Sequence, residues 1–196
     1  MVEITHSLAI SSKPGSGRVI GSMPATSPQF GFRTYAWVVS VSANGKYGRV
    51  PVPYRGRGGT GWIPLRGLHR VHTAITVRAD LSRHQITVER LGKVILRMKA
   101  ATGSRWTPTP PGRYFVTDRV PFYRGSSYGS FAFGISDFQY RLPAGWHGGS
   151  QLAIHGTNDP SSIGRSVSAG CLRVSERSLA LLKPLLRLGT PVIIQR

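Results

Sequence analysis

Apolar and polar positions alternate with period two over three consecutive stretches in the middle of the chain. Ile75, Val77 and Ala79 alternate with Thr76 and Arg78, and Ile86 and Val88 with Thr87 and Glu89. Val94, Leu96 and Met98 alternate with Ile95, Arg97 and Lys99. Such alternation predicts half-buried strands, separated by turns at 80–83 and 91–92. Upstream, short apolar runs at 18–22, 35–41, 48–52 and 61–65 are divided by Gly, Pro, Ser and Asn, including Gly56-Arg57-Gly58-Gly59. Asn44-Gly45 between two of them predicts a hairpin, since both residues tolerate positive φ. Short strands with frequent turns suggest a small barrel or sandwich over 1–70.

Further along, Thr107-Pro108-Thr109-Pro110-Pro111-Gly112 is a rigid break before a strand at 113–118. Residues 119–150, rich in Gly, Ser and aromatics, show no sustained period. A loop of that length in a compact unit is either functional or a sign of a misassigned element, and the segment reads as a lid on the substrate side. A strand at 151–154 runs into His155. Ser175 reads as the N-cap of a helix carrying Leu179, Leu182 and Leu186 on one side. Pro184 falls within that pattern and should bend or end the helix. Gly189-Thr190 closes it, and 191–195 is the last strand. The expectation is a mainly β chain of two units, 1–70 and 71–196, with one or two short helices.

Composition narrows the function classes. The 196 residues hold 26 Lys+Arg against 7 Asp+Glu, for a net charge of +19. With 40% apolar residues a packed core is available, so charge alone does not imply disorder. The surplus is dispersed and arginine-rich, which suits anionic polymers or carboxylate-rich peptides. No aromatic-and-basic strand motif or recognition helix marks a nucleic-acid binder, so nucleic acid is not expected as a partner. No acidic pair supports two-carboxylate hydrolysis. One cysteine excludes an internal disulfide framework and multi-thiolate zinc sites, and no metal or cofactor is expected. No run approaches the length of a membrane span, and no secretory signal is visible in residues 1–30.

That single cysteine lies in Ser168-Ala169-Gly170-Cys171-Leu172-Arg173. A lone cysteine is most often a small buried hydrophobe. Here the flanks favour chemistry. In an extended segment Arg173 shares a face with Cys171, and a nearby cation favours the thiolate. His155, at a strand end in Ile154-His155-Gly156-Thr157-Asn158, is the best base. The Gly156 carbonyl is placed to accept the second imidazole proton and set the tautomer. The Gly170 and Cys171 amides are candidate oxyanion donors.

These two motifs together closely resemble the signature of L,D-transpeptidases with the YkuD-type catalytic domain. The resemblance runs from Ile75 to Ile194. It includes Leu81-Ser82-Arg83-His84-Gln85, Thr102-Gly103 with the threonine-proline stretch, Tyr128-Gly129-Ser130-Phe131 and Gly189-Thr190-Pro191-Val192. More loosely, residues 1–70 resemble a bacterial SH3-like domain with an attachment or placement role. The resemblance implies that Cys171 is the nucleophile and His155 the general base and acid, oriented by the Gly156 carbonyl. Arg173, Ser168, Tyr128 and Phe131 would hold substrate or shape the loop that does. Many family members carry His where this chain has Ala169, so whatever that imidazole contributes beside the cysteine is absent here. The implied reaction is attack on the third residue of a peptidoglycan stem tetrapeptide, release of D-Ala and resolution of the thioester by an amine, giving 3→3 cross-links. Carbapenem inhibition is expected. Alternatives are an L,D-carboxypeptidase using water and a non-catalytic basic module binding anionic wall polymers or nucleic acid. The implied substrate places the protein outside the cytoplasm, on the assumption that a signal or anchor is missing from this chain.

Overall fold

A computed structural model describes residues 1–55, 59–123, 125–142, 144–146 and 149–196. The Gly56-Arg57-Gly58 part of the predicted turn and His147, whose Gly-rich surroundings favour a surface position over a substrate contact, lie outside them. Among the described residues the elements of the first part are β1 (Val2–Glu3), β2 (Leu8–Lys13), β3 (Ser16–Met23), β4 (Tyr35–Ala36), β5 (Ser40–Val41), β6 (Tyr47–Pro51) and β7 (Thr60–Pro64). The second part contains β8 (Ile75–Asp80), β9 (Gln85–Arg90), β10 (Lys93–Lys99), β11 (Thr102–Gly103), β12 (Gly112–Pro121), β13 (Phe131–Phe138) and β14 (Gln151–His155). It ends with β15 (Ser166–Ser168), β16 (Leu172–Arg173), α1 (Glu176–Leu182) and β17 (Pro191–Gln195).

Strands β3-β2-β7-β6-β5 form one antiparallel sheet. Its inward positions, among them Ile10, Met23, Val50 and Ile63, are fully buried. The Asn44-Gly45 turn joins β5 to β6, with Gly45 at φ 71°. The apolar run at 35–41 divides. Tyr35 and Ala36 pair with β1, whereas Ser40 and Val41 join the larger sheet.

Eight strands form the second sheet in the order β10-β9-β8-β17-β12-β13-β14-β16. Pairs β8–β17 and β14–β16 are parallel and the others antiparallel. The alternating stretches at 75–99 form β8 to β10, with Val77, Ile86 and Val88 fully buried. Ser175 caps α1 by accepting the Ser178 N–H at 3.2 Å. The helix ends at Leu182, before Pro184, yet Leu179, Leu182 and Leu186 all pack into the core.

Residues 119–150 are not a continuous lid. Strand β12 runs on to Pro121, and β13 is an interior strand of the sheet. Six consecutive residues of β13, Ala132 to Asp137, are buried. With both faces covered, the segment has no polar face to alternate with its apolar one, and the period that betrays a strand vanishes.

The two sheets share side chains. Phe115 of β12 belongs to the core of the first sheet. Tyr54 stacks on Phe138 with ring centroids 4.8 Å apart. Ser27 Oγ donates to the buried Asp118 carboxylate.

Candidate active site

Strand register builds the site. Ile154 pairs with Leu172 and His155 with Arg173 in the parallel β14–β16 ladder. Side chains alternate across a strand, so Ile154 and Leu172 point into the core, where both are buried. His155, Cys171 and Arg173 therefore share the opposite face. On β13, Ala132 pairs with His155 and Gly134 with Ala153. Gly134 makes room on that face for the Gln151 amide and the Asp118 carboxylate, which a Cβ there would meet at 2.6 Å. His155, Cys171, Arg173, Tyr128 and Gln151 line one cleft of about 250 Å3.

His155 is 3% exposed, and its Nδ1 lies 2.5 Å from the Gly156 carbonyl oxygen. A carbonyl only accepts, so Nδ1 carries the proton and Nε2 is left as the basic atom. Burial pushes the imidazole pKa down to about 4, against the opposing pull of the Gly156 carbonyl. Cys171 is half-buried, and its thiol faces the Gln151 carbonyl at 3.9 Å. Burial raises the thiol to about 11, despite a hydrogen bond from the Ala153 N–H and the Arg173 charge. Arg173 thus acts in the expected direction, but desolvation outweighs it. At neutral pH the resting pair is thiol and neutral imidazole.

The threonine-proline stretch fixes the cysteine loop. Thr107 Oγ1 donates to the Ser168 carbonyl at 2.8 Å and Thr109 Oγ1 to the Gly170 carbonyl at 2.7 Å. Ser168 Oγ donates to the Cys171 carbonyl at 2.6 Å and accepts the Gly170 N–H at 3.0 Å. The Gly170 amide is therefore spent on Ser168, which corrects its expected role as an oxyanion donor. What the loop needs of Gly170 is its backbone: φ is +119°, and a Cβ there would collide with the Gln139 amide and sit 3.0 Å from Leu152. Gly170→Ala is expected to cost about 3 kcal/mol, combining backbone strain and overpacking. Equilibrium denaturation against wild type measures this.

Tyr128 stands beside His155, with ring centroids 4.9 Å apart, and stacks on Phe122. Phe131 corrects the sequence reading. One residue out of phase with Ala132, it projects through the other face of β13, between the cations of Arg119 at 5.7 Å and Lys183 at 5.1 Å. It is absent from the cleft lining.

Several site residues escaped the sequence reading. Gln151 forms part of the cleft wall, and its Nε2 donates to Asp118 at 2.5 Å and Thr117 at 2.8 Å. Glu176 accepts from the Ser130 N–H and hydroxyl, tying α1 to the turn that carries Tyr128. Neither has a motif signal. The only hint was Asp118, an acidic residue inside an apolar strand pattern. The Arg173 Nε is buried and has no acceptor among the described residues. Among those residues no group of three His, Cys, Asp or Glu side chains gathers as a metal site.

Residues 74–194 match the family model of the L,D-transpeptidase catalytic domain, YkuD. The YkuD protein of Bacillus subtilis is 29% identical over 125 residues, covering 64% of this chain and 66% of that protein. The chain thus spans just under two thirds of that relative. A relative from the ATP synthase gene region of Fuscovulum blasticum is 30% identical over 165 residues, covering 83% of this chain and 76% of its own. An L,D-transpeptidase from Mycobacterium smegmatis aligns over all of both chains with a TM-score of 0.54 at 17% identity. One from Mycobacterium tuberculosis aligns over 70% of this chain and 72% of its own, with a TM-score of 0.50 at 21% identity. At such identities these two structures speak for the fold alone. With the family model covering more than half of its residues, this chain belongs to the YkuD family of L,D-transpeptidase catalytic domains.

Proposed function

We propose that the protein is a peptidoglycan L,D-transpeptidase working through a thioester on Cys171. One observation carries the reading: a buried imidazole, its tautomer set by the Gly156 carbonyl, shares an open strand face with the cysteine. In the first step Nε2 of His155 takes the thiol proton as sulfur attacks the carbonyl carbon of the third stem residue. With the Gly170 amide occupied, the oxyanion falls to the Cys171 N–H, whose peptide group is held by the Thr109 hydroxyl on the Gly170 carbonyl. His155 then protonates the departing D-Ala amine. An acceptor amine attacks the thioester, gives its proton to His155, and the thiol returns. Neither metal nor nucleotide enters this scheme. The unpaired Arg173 Nε supports that guanidinium as the holder of a stem carboxylate.

The partners are stem peptides, and the site of action is outside the cytoplasm. Anionic wall polymers are a second partner class. Their support is that, among the described residues, only Arg33, Arg78 and Arg83 reach a carboxylate, which leaves most of the positive surface unpaired. Support for an SH3-like placement module in the first part is its five-strand antiparallel order and a core cluster to which the second part adds only Phe115.

Product analysis tests the reaction. Incubation with a stem tetrapeptide and an amine-bearing acceptor is expected to release D-Ala and yield the cross-linked dimer. A free tripeptide as sole product would instead make the enzyme a carboxypeptidase, and absence of both would leave a binding module.

A further inference from the structure

Two indoles stand in solvent beside the catalytic cleft. Trp106 is 71% exposed and Trp146 41%. Together they line a second groove of about 510 Å3. Ser168, Ala169 and Arg173 belong to both the groove and the cleft, so the two are continuous. Arg141 adds a second cation to the groove wall.

Trp106 is held in place. Its backbone N–H donates to Ser104 Oγ at 3.3 Å, and the Ser104 and Thr107 hydroxyls are 2.9 Å apart. Thr107 in turn holds the Ser168 carbonyl, on the loop that carries the nucleophile. The Arg105 guanidinium covers one indole face at 4.3 Å from the ring centroid. At that exposure, the rest of the ring is open to solvent. A large aromatic on a tethered backbone, left open beside a reactive cleft, marks a ligand surface.

The groove chemistry selects the ligand. A flat apolar ring in a wet, shallow groove suits a sugar, whose C–H face stacks on it while hydroxyl and acetamido oxygens accept from guanidinium groups. The first residues of a stem separate its scissile carbonyl from the glycan by about 10 Å when extended. Trp106 lies on the neighbouring threonine-proline stretch, which Thr107 ties to the cysteine loop at Ser168. We propose that this groove binds the sugar to which the donor stem is attached, so that the enzyme reads peptide and glycan together. The proposal deepens the transpeptidase reading and rests on it.

Kinetics with two donors provide the test: a free stem tetrapeptide, and the same tetrapeptide on its N-acetylated disaccharide. Wild type is expected to show a KM for the disaccharide-linked donor lower by roughly tenfold, the worth of one good aromatic contact. Trp106→Ala is expected to remove that difference through KM rather than kcat, and Trp106→Phe to restore part of it. An equal penalty on both donors, or none on either, overturns the proposal. Tryptophan fluorescence of Cys171→Ala, titrated with the peptide-free disaccharide, reads the groove without turnover. A saturable change that is lost in Cys171→Ala/Trp106→Ala supports the proposal, and no saturation overturns it. If wild type turns over neither donor, the transpeptidase reading falls, and this titration still decides the groove.

Discussion

Alanine at position 171 is expected to abolish covalent capture of a carbapenem, while wild type gains one whole drug per chain. The attack opens the β-lactam C–N bond without expelling a fragment, so intact mass rises by the full mass of the inhibitor. No second thiol can substitute, because the chain has one cysteine. Cys171 is not expected to behave as a generally reactive thiol. With its pKa pushed to about 11 by burial, roughly one molecule in ten thousand holds a thiolate at pH 7. Small alkylating agents, which bring no group to organise the site, should therefore label it slowly at neutral pH and faster as pH approaches 11. A carbapenem instead presents a carbonyl to the sulfur in the cleft that His155 also lines. Fast acylation beside slow alkylation is the pattern that separates a base-activated thiol from a resting thiolate. Rapid alkylation at pH 7 would contradict the desolvated site. Equal adduct on wild type and Cys171→Ala would remove the nucleophile from position 171.

How much of this was legible in the sequence depended on whether a local pattern survived burial. Strands β8 to β10 keep one wet face, and their alternation announced them. Strand β13 is covered on both faces, so its run of Phe, Ala, Gly and Ile looked like an aromatic loop. The consequence reached the site. Without β13 there was no register to say that Ala132 and not Phe131 faces His155, and a one-residue phase moves a side chain through the sheet. His155 and Cys171 were legible because their flanks form local motifs. Their placement on one face was not, since it follows from a parallel pairing of two short strands. Gln151, Asp118 and Ser27 meet across more than a hundred residues of chain, and no local spacing encodes such a contact. The Gly170 amide was misassigned for a related reason: whether a backbone donor is free depends on the side chain that folds back onto it, here Ser168.

His155→Gln is expected to slow carbapenem acylation by about a thousandfold, within the range for loss of a positioned general base. Glutamine fills similar space and can still donate to the Gly156 carbonyl, but it takes up no proton at neutral pH. Acid dependence offers a second, independent reading of the same residue. In the folded protein the imidazole accepts a proton only near pH 4, whereas unfolded histidine does so near 6.5. Below pH 6.5 the unfolded chain therefore binds more protons, and stability present above that pH is lost as pH falls toward 4. The loss should level off at about 3 kcal/mol below the folded pKa. His155→Gln should remove this part of the acid sensitivity, so its stability relative to wild type rises between pH 6.5 and 4. Urea titrations of both proteins at pH 7.5 and pH 4 measure the difference. The rate and stability effects have one cause, a neutral imidazole held out of water. A variant that lost activity but kept the wild-type acid dependence would show that His155 titrates alike in the folded and unfolded chain and is not held out of water. A variant that lost the acid dependence but kept the rate would assign the proton transfer to a different base.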